Sequence, residues 1–259
     1  MPYANEIIFL ILLLLVFGTT LAAFRFGGAI GLLCLIACEA VLLNIFVVKQ
    51  LDLFGLSVTG GNIMFGGIFL ATDLLNEKYG PRLARLGVLV GFASGFFMLF
   101  ATQLTTAFLA NAFDTTQTAF QTIFALAPRI VLASFTSFLI VQLFDVWFFN
   151  FLRQRTQGKA LWLRNNLSTM TSQIFDTLFF TAAGLLIIPS LQGTLLAGFL
   201  PAAVFWQVVG FTLTIKIGVT LLDTPILYLA KLKCFTPSKI KFCPENSAQP
   251  KEGFAAHSA

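Results

Sequence analysis

Two matching stretches decide the fold class of this chain: residues 142–149 read QLFDVWFF, and residues 173–180 read QIFDTLFF. Both stretches follow the pattern Q-x-F-D-x-x-F-F and lie inside long hydrophobic segments. An ionised carboxylate surrounded by hydrocarbon is unstable by several kcal/mol unless a cation or water stabilises it. Asp145 and Asp176 therefore predict a polar site inside a bundle of membrane-spanning helices.

The overall composition supports a membrane protein. Hydrophobic residues make up 58% of the 259 residues, charged residues make up only 10%, and the mean hydropathy is +0.89. A soluble domain carries about 25% charged residues, so the composition excludes a soluble fold. We expect an all-α membrane protein, a polytopic bundle of six or seven transmembrane helices in the lipid bilayer, without a sizeable soluble domain.

Seven apolar segments approach the length of about twenty residues that a helix needs to cross a bilayer. They are residues 6–24, 28–48, 62–77, 84–104, 129–151, 167–188 and 203–230. The third segment is short and rich in glycine, which predicts a helix that is tilted, broken or re-entrant. Residues 105–127 predict a loop that contains a short interfacial helix.

The segments divide the chain into three predicted parts. These are an accessory first transmembrane helix over 1–26, a six-helix core over 27–232 and a flexible cytoplasmic tail over 233–259. Most of the 16 basic residues follow the odd-numbered segments, including the loop 152–166. Basic residues are enriched in cytoplasmic loops, so we expect the amino terminus outside and the tail inside. The net charge of +5 reflects these loops, and we expect no nucleic-acid partner.

The polar residues inside the apolar segments are the candidates for a binding site. They are Asn44, Asp73, Glu77, Gln142, Asp145, Gln173, Asp176 and Lys216. A lysine in the middle of a span cannot reach water at either end, so Lys216 is expected to pair with Asp73, Asp145 or Asp176. A polar clamp between helices, or a lysine neutralised only for folding, is the alternative interpretation.

The chemistry of these residues excludes several classes of function. The only histidine lies in the tail, and no group of residues in the sequence has the spacing typical of metal ligands. The chain also has no Walker A sequence. We therefore expect no catalytic residues, no metal, no cofactor and no enzyme activity. Carboxylates and carboxamides suit a flat polar heterocycle, held between phenylalanine rings.

Residues 69–80 read FLATDLLNEKYG, and this run resembles the signature of the queuosine precursor transporters, the vitamin uptake transporter family. The resemblance covers roughly residues 28–232. It continues through Arg129–Ser134, Gln142-x-x-Asp145, Ser168-Thr169, Asp176-Thr177-x-Phe179-Phe180 and Lys216. The chain departs from the family where Gln173 replaces the usual asparagine, and where a first span precedes the six helices of the family core.

The resemblance implies import of 7-deazaguanine bases through the bacterial inner membrane. The bases are 7-cyano-7-deazaguanine, its aminomethyl analogue or queuine, which cells salvage to make queuosine in tRNA. Asp145 or Asp176 would accept hydrogen bonds from the guanine-like edge, and Lys216 would balance the carboxylates or cycle a proton. Gln142, Gln173 and Asn44 would bind the carbonyl and the ring nitrogens. The chain would act as a secondary carrier, coupled to protons through Asp73 or Asp176. Alternatively, it would be the binding subunit of an energy-coupling-factor importer with an ATPase module; a homo-oligomer is also compatible.

Overall fold

The computed structural model describes residues 3–124, 128–186 and 201–232. Within these residues the chain forms seven α-helices and one two-stranded hairpin. The helices are α1 (Ala4–Phe46), α2 (Gly61–Tyr79), α3 (Pro81–Thr106), α4 (Gln117–Phe124), α5 (Pro128–Arg155), α6 (Leu161–Phe180) and α7 (Phe205–Leu229). In this part of the chain α1, α3, α5 and α7 are long and apolar enough to cross a membrane, so the all-α membrane architecture is confirmed. The predicted tail and the end of the sixth predicted span lie outside the described residues.

Helix α1 folds back on itself and contains both of the first two predicted spans. Gly28 interrupts the helix with φ 56° and ψ −133°, a conformation that glycine adopts without strain. Val16 and Glu39 both lie within 2.6 Å of the point that a Cβ on Gly67 would occupy. A straight helix would separate these two residues by about 35 Å. The two halves of α1 therefore run antiparallel beside α2, and the division into an accessory helix and a core stays a prediction.

A small antiparallel hairpin follows α1, and the sequence pattern did not predict it. Its strands are β1 (Gln50–Leu53) and β2 (Leu56–Thr59), which pair from Gln50 with Thr59 to Leu53 with Leu56. Phe54 and Gly55 join the strands, and both have positive φ. A two-residue turn of this kind matches the natural twist of paired strands.

The amino-terminal end of α1 holds this hairpin in place. The Asn5 side chain donates a hydrogen bond of 3.0 Å to the carbonyl of Asp52. The amide of Phe54 donates a hydrogen bond of 3.0 Å to the carboxylate of Glu6. An isolated two-stranded hairpin is only marginally stable, so these bonds and a small apolar cluster support it. The buried members of that cluster are Leu53, Val58 and Ile215.

Helix α2 lies at the centre of the bundle, against α1, α3, α5 and α7. It is one uninterrupted helix, so the glycine-rich third span is not broken. Its glycines allow close packing, because a Cβ on Gly66 would lie 2.5 Å from the side chain of Val219. Nearly every side chain from Ile63 to Asn76 is buried. The polar residues of α2 therefore face other helices rather than lipid.

The predicted short helix after the fourth span is α4, which is confirmed as a helix. Asp114 caps its start, since the carboxylate accepts hydrogen bonds from the amide of Thr116 at 2.7 Å and from its hydroxyl at 2.9 Å. The amide of Gln117 donates a third bond of 3.1 Å. These bonds, led by the Thr116 amide, hold the pKa of Asp114 below its usual range.

Helices α5 and α6 form a hairpin around a short turn at residues 156–160. The sequence placed Arg164 in a longer loop, and the structure corrects this, because α6 already begins at Leu161. Arg164 and Asn165 are polar, yet both are fully buried against other helices. At its far end α6 continues as a π-helix, Thr181–Leu185, a feature that is frequent at functional sites.

Candidate functional site

A cavity of about 350 Å³ lies where the end of α1, the β-hairpin and the start of α2 meet α5, α6 and α7. Its volume is in the range of sites that hold small molecules. Three aromatic side chains, Phe65, Phe138 and Phe180, contribute to its walls. Asn44 and Asn62 supply amide groups to the same space. The cavity thus combines flat apolar surfaces with groups that both donate and accept hydrogen bonds.

An ion pair contributes charged groups to this cavity. The ammonium of Lys216 on α7 lies 2.6 Å from Oδ2 of Asp176 on α6. The hydroxyl of Ser137 on α5 donates a hydrogen bond of 2.5 Å to the other oxygen of Asp176. The predicted pairing of Lys216 with a carboxylate is therefore confirmed, and its partner is Asp176.

The position of Lys216 on α7 explains this pairing. Its ammonium sits in the middle of an apolar helix, 4.7 Å from the centre of the Phe65 ring, so it also interacts with the ring face. Lys216 and Asp176 are only 7% and 8% exposed, and neither charge would be stable there alone. All three groups, Lys216, Asp176 and Ser137, line the cavity and can bind a ligand there.

Three further carboxylates form a separate buried acidic cluster, which consists of Asp73, Asp145 and Asp223. They lie closer than Asp176 to the end of the bundle where α5 turns into α6. All three are at most 1% exposed. Side chains of α6 donate to each of them: Thr169 to Asp73 (3.1 Å), Ser172 to Asp145 (3.0 Å) and Asn165 to Asp223 (3.0 Å). This cluster is closed, unlike the cavity.

A layer of ion pairs, formed by Glu77, Arg164 and Lys231, covers the same end of the bundle. The carboxylate of Glu77 accepts a hydrogen bond from the Nη2 of Arg164 through its Oε2. Its other oxygen lies 2.7 Å from the ammonium of Lys231. The guanidinium of Arg164 also stacks over Phe149, 5.3 Å from the ring centre. The ion-pair layer joins α2, α6 and the end of α7, so it closes the bundle opposite the cavity.

The structure divides the predicted site residues between these places. Asn44, Asp176 and Lys216 line the cavity. Asp73 and Asp145 belong to the buried acidic cluster, and Glu77 belongs to the ion-pair layer. Gln142 and Gln173 are buried at 0% and 2% exposure, and neither lines the cavity. Gln142 lies beside α2, where its side-chain oxygen is 3.5 Å from the hydroxyl of Thr72.

Several residues of these sites were not predicted, and some of them carried a signal. The polar residues of α6 recur at helical spacing along one face: Asn165, Ser168, Thr169, Ser172, Gln173 and Asp176. This stripe predicts a buried polar face, and it would have placed Asn165 in a helix. Ser137 and Asn62 carried no such signal, because each is a single small polar residue in an apolar stretch.

A family model described as "Putative vitamin uptake transporter" matches residues 59–230. This range spans α2 to α7 and includes the acidic cluster, Glu77, Arg164 and both members of the Lys216–Asp176 pair. The chain belongs to the vitamin uptake transporter family. As a member of this transporter family with several apolar helices, it is a multi-pass membrane protein.

Two curated relatives of this transporter carry more specific names. A "Probable queuosine precursor transporter" of Bacillus subtilis (strain 168) is 40% identical over 205 residues, which cover 79% of this chain and 85% of the relative. A "Queuosine precursor transporter" of Escherichia coli (strain K12) is 32% identical over 143 residues, or 53% of this chain and 59% of the relative. No solved structure matches the chain significantly.

Proposed function

We propose that this chain imports queuosine precursors across the cytoplasmic membrane as a secondary carrier. The substrates are 7-cyano-7-deazaguanine, 7-aminomethyl-7-deazaguanine or queuine, and the transporter moves them without chemical change. The observation that carries the proposal is the cavity with the Lys216–Asp176 ion pair in its lining. The names of the two relatives support transport of queuosine precursors as a class.

The hydrogen-bonding groups of the cavity are complementary to a 7-deazaguanine base. Its ring N–H and exocyclic amine are adjacent donors, and the neighbouring carbonyl oxygen is an acceptor. A carboxylate has about four acceptor positions, and Asp176 uses two of them for Lys216 and Ser137. Asp176 can therefore accept from the donor edge of the base while Lys216 donates to its carbonyl oxygen. Phe65 and Phe138 offer ring surfaces on which the flat base can stack.

The distribution of charge supports an orientation for import. Arg155, Lys159 and Lys231 lie at the end of the bundle that carries the ion-pair layer, which favours the cytoplasmic side. The cavity lies at the other end, which would face outward. In this arrangement a base enters from outside and leaves after the ion-pair layer opens.

The test uses a bacterium that can neither make nor import queuosine precursors. The chain is expressed there, nanomolar 7-cyano-7-deazaguanine or queuine is supplied, and queuosine is measured in tRNA. We expect the chain to restore queuosine and Asp176→Ala to abolish it. Asp114→Asn, in the exposed loop before α4, is the matched control and keeps uptake. Normal uptake by Asp176→Asn would contradict the role given to this carboxylate.

The same assay separates the carrier from the alternative of a binding subunit with an ATPase module. Restoration in a host without any partner from the source organism supports the self-sufficient carrier. If the chain reaches the membrane and restores nothing, the carrier assignment is wrong. Co-purification of an ATPase from the source organism would then favour the binding subunit.

A further inference from the structure

Asp73 on α2 and Asp145 on α5 lie side by side inside the buried acidic cluster. Their sequence neighbours join the two helices: the Thr72 hydroxyl lies 3.5 Å from the Gln142 side-chain oxygen, and the Asn76 side chain donates a hydrogen bond of 3.0 Å to the carbonyl of Val146. Thr169 and Ser172, one turn apart on α6, donate to Asp73 and to Asp145. Among the described residues no donor reaches Oδ1 of Asp73 or Oδ2 of Asp145. Two ionised carboxylates cannot form a hydrogen bond with each other, because neither carries a hydrogen. Without a proton the two buried carboxylates would also repel each other, so one proton, donated by one carboxyl and accepted by the other, stabilises the arrangement.

In the described part of the chain, the nearby cations are engaged elsewhere. On α6, Arg164 pairs with Glu77 of α2, and on α7, Lys216 pairs with Asp176. Lys231, just after α7, also binds Glu77. Arg153 of α5 donates to the carbonyl of Asn76. On α3, Arg82 and Arg85 are exposed at the bundle end.

The remaining titratable groups near the pair are acidic. Asp223 of α7 belongs to the same buried cluster, where Asn165 of α6 donates to it, and it adds negative charge. Glu39 of α1 lies farther along α2, against Gly67. Because all these neighbours are acids, they favour the binding of a proton rather than its release.

Two buried amides beside the pair have a free polar atom. Asn165, which donates to Asp223, is fully buried, and its side-chain oxygen has no partner among the described residues. The side-chain nitrogen of Gln142, one helical turn before Asp145, is likewise buried without a described acceptor. Buried polar groups are normally hydrogen-bonded, so these atoms indicate a place that can bind a further polar group.

The location of the pair links the two ends of the protein. Ser172 donates to Asp145, and Asp176 of the cavity follows it by one turn of α6. In the other direction, Glu77 of the ion-pair layer follows Asp73 by one turn of α2. Separation of α2 from α5 would break the Asp73–Asp145 contact, so the proton would be released when this end opens.

We propose that Asp73 and Asp145 share one transported proton and that its binding couples uptake to the proton gradient. The proton enters from the cavity side, bridges the two carboxyl groups and leaves at the opposite end when the helices separate. The inference rests on the proposed carrier function. It assigns coupling to this pair and substrate binding to Asp176 and Lys216.

The first test detects the proton without any substrate. Infrared difference spectra of the purified protein at neutral pH compare the wild type with Asp73→Asn and with Asp145→Asn. An asparagine has the shape of a protonated carboxyl and can donate the same hydrogen bond, so both variants are expected to fold. We expect each variant to lose the carbonyl band of one protonated carboxyl, whereas Asp114→Asn loses none. If that band remains in both cluster variants, the proposal is overturned.

The second test measures coupling in proteoliposomes with labelled 7-cyano-7-deazaguanine. An alkaline interior should drive accumulation in the wild type and in Asp114→Asn. Asp73→Asn and Asp145→Asn should lose this accumulation but keep exchange of labelled for unlabelled base, since exchange needs no net proton movement. Accumulation of the labelled base by Asp145→Asn would overturn the proposal. So would accumulation by the wild type that a sodium gradient drives in place of the pH gradient. If the wild type neither accumulates nor exchanges the base, the proposed substrate is wrong, and the infrared test still decides the proton site.

Discussion

Asp145 and Asp176 occupy equivalent positions in a repeated sequence, but different serines bind them. Ser172 donates to Asp145, and Ser137 donates to Asp176. Ser172 precedes Asp176 by four residues on α6, which corresponds to about 6 Å along the helix. The two carboxylates are therefore offset along the α5–α6 hairpin, one in the cavity and one in the buried acidic cluster.

The ion pair in the cavity predicts a compensating double variant. Lys216→Ala removes the cation beside Asp176 and should destabilise the protein by about 3 kcal/mol, because it leaves a mostly buried charge unpaired. Lys216→Ala with Asp176→Ala should recover most of this loss, yet both variants should lose uptake. Thermal unfolding in detergent and the tRNA assay measure the two effects. Equal instability of the single and double variants would contradict the pairing energy.

The ion-pair layer predicts unequal effects for the loss of its buried carboxylate and the loss of its partly exposed lysine. Glu77→Gln leaves the fully buried charge of Arg164 without its carboxylate, so we expect a loss of about 3 kcal/mol. Lys231→Ala removes a side chain that is 36% exposed, and it should cost less than about 1 kcal/mol. Unfolding temperatures of the two variants check this order, and the reverse order would show that Arg164 is not held by Glu77.

The contact of α1 with α2 predicts a steric effect at one glycine. A Cβ on Gly67 would lie 2.5 Å from Oε1 of Glu39 and 2.6 Å from the side chain of Val16. Gly67→Ala should therefore destabilise the protein by about 1–3 kcal/mol. Gly18→Ala is the matched control, because nothing lies within 4 Å of its Cβ, and it should be neutral or slightly stabilising. Similar unfolding temperatures for both variants would argue against the antiparallel packing of α1.

The proposed outward orientation of the cavity predicts a pattern of thiol labelling in a variant that lacks the four native cysteines. Thr212→Cys, in the cavity lining, should react from outside with a membrane-impermeant reagent, and 7-cyano-7-deazaguanine should protect it. Ser172→Cys should stay unreactive, since Ser172 is fully buried. Lys159→Cys should react only in inverted vesicles. Labelling of Lys159→Cys from outside would reverse the orientation.

The sequence predicted the helices well because a lipid-exposed span must be both long and apolar. All seven apolar segments contain helix, and six of them begin or end within a few residues of the observed helices. The start of α6 was missed because Arg164 and Asn165 look like loop residues until their partners are known. The hairpin at β1 and β2 was missed because its turn, Phe54-Gly55, is not one of the common asparagine-glycine signals.

The site was harder to predict because depth along a helix depends on the partner helix. Sequence spacing predicted that Asp73, Asp145 and Asp176 lie together inside the bundle, and the structure buries all three side chains. It could not show that Asp176 is in an open cavity while Asp73 and Asp145 are in a closed cluster. That separation depends on how far α5 is shifted along its axis relative to α6. The sequence pattern of a single helix carries no information about this shift.

The fold-back of α1 at Gly28 has a practical consequence for the mouth of the cavity. It returns the first residues of the helix to the β-hairpin, where Asn5 and Glu6 bind the turn. Gln50, Val58 and Thr59 of this hairpin line the cavity. The first half of α1 therefore supports the hairpin that forms part of the cavity wall. A bulky fusion at the amino terminus would lie close to the cavity opening. Shortening the first half of α1 would remove support from the hairpin that a substrate has to pass.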